Sequence, residues 1–347
     1  MAESDGYSPE FVEALNAWEQ GPPLSAEFVF DLPPADPRKA DKVGVLMYQA
    51  VLMKQDHPAL DFARIRAVTF TMDVHRTGAE LENIVGHNLP QFRSAAARLD
   101  AFHVNVAGGQ VLIITDELAQ ASLSPQLATR LAAWELLRTE LARSVAVVLL
   151  SHVPDAYWLG GDTAGQDRRN DTAEVRWRRF ARYVWSEYFC GYHASVQAMG
   201  TPMARNRLRT ALEEDPVALA SAAAQFRADG DAQEWVARAE GCARGLCEAM
   251  AEVIGQTHAT QSRLADVDPH LDTLIHTHAL GGLWDALAQA LQAPDRHPAE
   301  WASTLRLDAV AQAGQSLLLA YGLSYRDGDT VVQAPSGSAG TDNSETP

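Results

Sequence analysis

From Ser124-Pro125 to Tyr321 the chain keeps a helical period almost without relief. Apolar residues recur every three or four positions, which is the pattern of helices with one buried face. The interruptions fall where helices stop: over 154–171, over 200–202, at Asp229-Gly230, at Pro269 and over 294–298. Before Ser124 the pattern is different. Residues 65–72 (Ile-Arg-Ala-Val-Thr-Phe-Thr-Met) are rich in β-branched side chains and read as a strand. Residues 102–106 alternate, Gly108-Gly109 turns, and 110–115 follow as a second arm, which is a hairpin. The unbroken apolar run of that second arm predicts a central place in the sheet. Such a chain must bury a small sheet against many helices, so the expected fold class is α+β and mostly helical.

The flanks divide the chain further. Residues 1–37 hold eight acidic residues and no Lys or Arg. Ser8-Pro9-Glu10 starts a helix, with Ser as cap and Pro in the first turn, and Gly21-Pro22-Pro23 ends it. Residues 33–37 read as a linker and about 40–54 as a second helix. Helix is also expected over 78–99, with a break at Gly86. The expected organisation is an acidic N-terminal helix and linker (1–37), an α/β domain (38–200), a helical extension ending in a small hairpin turned by Asp327-Gly328 (201–334), and a disordered tail (335–347).

Charge narrows the partners. With 28 basic against 45 acidic residues the formal net charge is -17. This argues against nucleic acid and anionic membranes, both of which need a basic footprint. A protein or small-molecule ligand is expected instead. Only Lys39, Lys42 and Lys54 among the basic residues are lysine, which together with abundant Ala is the compositional mark of a GC-rich bacterial genome. The three cysteines, Cys190, Cys242 and Cys247, are too few and too scattered for a disulfide framework. No leader pattern opens the chain, and the longest apolar run, 145–150, is too short for a membrane span. A cytoplasmic setting is expected.

Two polar residues stand inside apolar stripes. Stepping about 100° per residue along 127–152 puts Trp134, Leu137, Leu141, Val145, Val148 and His152 in one sector. Glu135 and Arg143 fall outside it and Arg138 at its edge. Pro154 makes His152 the natural helix end. Along 172–199, Trp177, Phe180, Val184, Tyr188 and Gly191 share a face that Tyr183, Cys190 and Ala194 extend, with Glu187 among them. Arg178, Arg179 and Arg182 are expected in solvent. A buried carboxylate needs a metal, a histidine, an arginine or a hydroxyl such as that of Tyr183. His152 with Glu187 is the start of a zinc ligand set, the third member being Asp155, His193 or His103. The plainer alternative is a buried hydrogen-bonded pair.

The order of elements carries a resemblance. Strand 65–72, the apolar second arm, a helix ending Ser151-His152-Val153-Pro154-Asp155 and a helix bearing Trp185-Ser186-Glu187-Tyr188-Phe189-Cys190 resemble the small bacterial zincin-type zinc peptidases related to the ImmA/IrrE group. In these, one helix carries His-Glu-x-x-His, often followed by Val and Asp. A later helix supplies a Glu, often in a Trp-x-Glu-Tyr-Phe-Ala context. The resemblance covers residues 60–200 and implies a zincin-like sheet-and-helix core followed by a helical bundle extension. By position it makes His152 the second His ligand and Glu187 the third ligand. The first His position holds Val148 and the catalytic Glu position holds Leu149. Val binds no zinc, and Leu takes no proton from a zinc-bound water. The implied protein is a catalytically degraded relative that binds a partner or ligand, with zinc or no cofactor. The competing readings are an active zinc hydrolase with non-standard ligands and a structural helical scaffold.

Other chemistry-bearing residues read as structural. His276 and His278 point to different sides of a helix, and His270 with Asp272 adds no ligand set at metal spacing. His75 and His87 flank a helix as caps or surface groups. Cys190 with His193 one turn on reads as incidental, and no phosphate loop or nucleophile elbow is present.

Overall fold

The computed structural model describes residues 24–32, 36–85, 100–151, 173–195, 203–230, 232–292, 307–326 and 329–332. Six strands and eleven helices occur among them, with helix dominating, so the fold is α+β and mostly helical. No helix among the described residues is long and apolar enough to cross a membrane. The chain forms two compact units. The first comprises 1–152, 189–203 and 255–261, and the second 153–188, 204–254 and 262–347. Two long helices, α5 (Ala173–Ala194) and α7 (Ala232–Ala259), contribute residues to both.

Unit 1 is built on a four-stranded sheet in the order β1-β2-β4-β3, from β1 (Glu27–Asp31), β2 (Ile65–Thr71), β3 (Ala101–Val106) and β4 (Gly109–Thr115). β1, β2 and β4 run parallel and β3 returns antiparallel along β4. The apolar second arm is therefore central, as its composition predicts. β1 has no such signal, because its five residues are a short run just ahead of Pro33-Pro34 in the sequence and gain their ladder only from β2. Alternation sends Phe30 and Phe70, stacked at 5.3 Å, to one face. The other face carries Phe102, Val104 and Ile113, against which Leu81 and Val74 of α2 (Val74–Val85) pack. Asp73 caps α2 by accepting from the Arg76 backbone N–H at 2.9 Å.

The ends of the sheet are fastened by charge. Lys42 of α1 (Lys39–Asp56) is 2% exposed, and its ammonium donates to Asp36 and to Asp116, the first residue of α3 (Asp116–Ser122). Burial works against that charge, and the two carboxylates more than offset it, so the Lys42 pKa stands above its ordinary value. Asp31 at the end of β1 accepts from Arg76 and, at 3.0 Å, from the Thr71 hydroxyl.

Helix α4 (Leu127–Ser151) corrects the helical-wheel expectation. Leu137, Leu141 and Val145 are buried as expected, but so are Glu135 at 4% and Arg138 at 3% exposure. The helix is enclosed on more than its apolar stripe, and its charges are answered inside the unit. Glu135 accepts from Gln256 Nε2 at 2.9 Å, and Arg138 donates to Gln49 Oε1 at 2.7 Å. Glu140 is ion-paired with Arg143 and lies 3.8 Å from His103 Nδ1 of β3. Burial raises the cost of its charge, yet Arg143 and His103 outweigh burial and hold its pKa below the ordinary 4.5.

Unit 2 holds α6 (Met203–Asp229), the short α8 (Leu264–Val267), α9 (Pro269–Thr277), α10 (Gly281–Gln292), α11 (Asp308–Ala320) and the antiparallel hairpin of β5 (Leu323–Arg326) and β6 (Asp329–Val332). Gly230, with φ 77°, ends α6 where Asp229-Gly230 predicts a break, and Pro269 opens α9 with Asp268 as its cap. Pro216 lies inside α6, so the Leu212 carbonyl has no helical donor. Leu208, Leu212, Leu246, Met250, Ile254 and Leu291 form part of the core.

The expected face of α5, Trp177, Phe180, Val184, Tyr188 and Gly191, is buried, and the buried arc is wider than expected on one side and narrower on the other. Tyr183 is 46% exposed, while Trp185 and Phe189, on the other side of Val184, are almost wholly buried. Arg178, Arg179 and Arg182 are half-buried and engaged, not free in solvent. Aromatic residues on two sides of Val184 are enclosed together, so the helix buries more than one stripe.

Two glycines test the packing. A Cβ at Gly314 would overlap the Phe180 ring, whereas one at Gly241 meets nothing within 4 Å. Gly314→Ala is expected to lower stability by about 1–3 kcal/mol through overpacking. Gly241→Ala is expected to raise it by about 0.5–1 kcal/mol through helix propensity. Denaturant midpoints of the two variants check both signs. For Glu140, a depressed carboxyl contributes stability that is complete above pH 4.5 and is lost as pH falls through the folded value. Unfolding measured from pH 7 to pH 3 should therefore show Glu140→Gln less stable by about 1–3 kcal/mol at neutral pH, and closer to wild type at the acid end.

Candidate functional site

Glu187 is the expected site residue that the structure places in a charged network. It sits on α5, half-buried, and its carboxylate meets Arg207 of α6 at 3.4 Å. The same Arg207 nitrogen reaches Glu252 of α7 at 3.0 Å. One guanidinium thus joins carboxylates from two other helices. Of the partners a buried Glu187 calls for, an arginine supplies this contact.

The local sequence explains the aim of Arg207. Arg205, Arg207 and Arg209 occupy the start of α6, where the helix dipole disfavours cations. Arg205 and Arg209 are one turn apart and share a face, and both reach Asp268, at 3.5 and 3.0 Å. Arg207 lies between them in sequence and therefore points away, to Glu187 and Glu252. Each of the three arginines is placed against a carboxylate. The alternation Arg-x-Arg-x-Arg at a helix start is the sequence signal that such acidic partners exist.

The remaining ligand candidates separate. His152 and Asp155 lie outside the described residues. His193 is buried in unit 1, its ring 4.3 Å from that of His57, 4.2 Å from Phe189 and 5.1 Å from Tyr192. It lies six residues beyond Glu187 on α5, which is about 9 Å along the axis and about 120° around it. Two side chains so disposed do not converge on one metal with bonds of about 2 Å. His103 belongs with Glu140, as described above. Among the described residues no three His, Cys, Asp or Glu side chains converge as a metal site. Val148 and Leu149 are half-buried on α4.

Beside Glu187 and Arg207 opens a cleft of about 640 Å³ between α6 and α7. That lies within the range of small-ligand sites, roughly 300–1,000 Å³. The wall from α6 carries Thr210, Glu214 and Asp215, and the wall from α7 carries Glu234, Arg238 and Glu248. Gly241, Cys242 and Gly245 of α7 also line it. The space follows from residue size: a Cβ at Gly241 or Gly245 would meet nothing within 4 Å. Burial pushes the Asp215 carboxyl above its ordinary pKa, against the Cys242 thiol that donates to it. Burial and the Asp215 charge push Cys242 up to about 11. Cys247, wholly buried, is pushed up to about 12. These thiols are protonated at neutral pH and are poor nucleophiles.

Among known proteins, no family model, no curated protein and no solved structure matches the chain.

The thiol environments give a direct check. In native protein at pH 8, Cys242 and Cys247 are expected to resist a thiol-titrating disulfide reagent, and both should react within seconds to minutes once guanidinium unfolds the chain. Rapid labelling of Cys242 before unfolding would show a thiolate that the cleft geometry does not produce.

Proposed function

We propose that this chain is a peptidase-like protein without peptidase chemistry, working in the cytoplasm as a binding or regulatory module for a protein partner or a small ligand. The observation that carries this reading is the Glu187–Arg207–Glu252 network. The carboxylate that the resemblance assigns to a metal here shares a guanidinium with Glu252. Val148 and Leu149 support the same reading, because neither supplies a ligand nor a general base at the positions the resemblance assigns. The contact of Glu187 with Arg207, and the placement of His193 on another side of α5, support a reading in which Glu187 is not a zinc ligand. The cleft alongside gives a binding module a place to act. Three free, buried cysteines agree with a reducing compartment.

Metal content of the purified protein tests the reading. Inductively coupled plasma mass spectrometry of wild type, His152→Ala and Glu187→Ala is expected to find well under one zinc per chain in all three. Stoichiometric zinc in wild type, lost in both variants, would replace the binding module by a metallohydrolase with non-standard ligands.

A further inference from the structure

We draw no further inference here: the strongest candidate, the His57–His193 ring pair at the ends of α1 and α5 in unit 1, its rings 4.3 Å apart beside Phe189 and Tyr192, is a packed aromatic contact, and nothing among the described residues points to a ligand there.

Discussion

Helix α4 carries charged side chains into the interior of unit 1, and the unit is arranged to answer each of them. An unpaired charge at such depth costs several kcal/mol or is neutralised. Glu140 finds Arg143 on its own helix and His103 on β3. Arg138 finds Gln49 and, at 4.0 Å, Asp56 on α1. Glu135 finds Gln256 at the end of α7. The position of α4 is thereby fixed relative to an edge strand and two helices. These directional pairings restrict its rotation further than non-directional hydrophobic contact would alone. Lys42 does for the top of the sheet what these charges do for the helix.

Much of this could be read from residues in order. β2 and the β3–β4 hairpin are legible because β-branched alternation and a Gly-Gly turn are local signals. So are the breaks at Gly230 and Pro269, which depend on backbone freedom and on a missing donor. β1 is not legible: its ladder comes from a strand about forty residues later. The burial of Glu135 and Arg138 is not legible either, because partners such as Gln256 and Gln49 are remote in sequence. The wheel gives the buried face of α5 but not its width, which leaves Tyr183 out and takes Trp185 in.

The candidate site divides the same way. That Glu187 sits among apolar residues and needs a partner follows from spacing. That an arginine meets it does not, since Arg207 lies on the next helix and is aimed by the demands of its neighbours Arg205 and Arg209 on Asp268. The cleft was invisible for a different reason. It is defined by side chains that are missing, at Gly241 and Gly245, and absence has no period.

Pro216 sits one residue past Asp215, so the α6 wall of the cleft crosses a gap in the backbone ladder. A regular helix resists bending through bonds repeated at every residue, and this one is weakened where it borders the open space. The two walls are therefore mechanically unequal. The α7 side is a continuous rod, while the α6 side has a soft point next to Glu214 and Asp215. The width of this cleft is thus a matter of wall stiffness as well as of sequence.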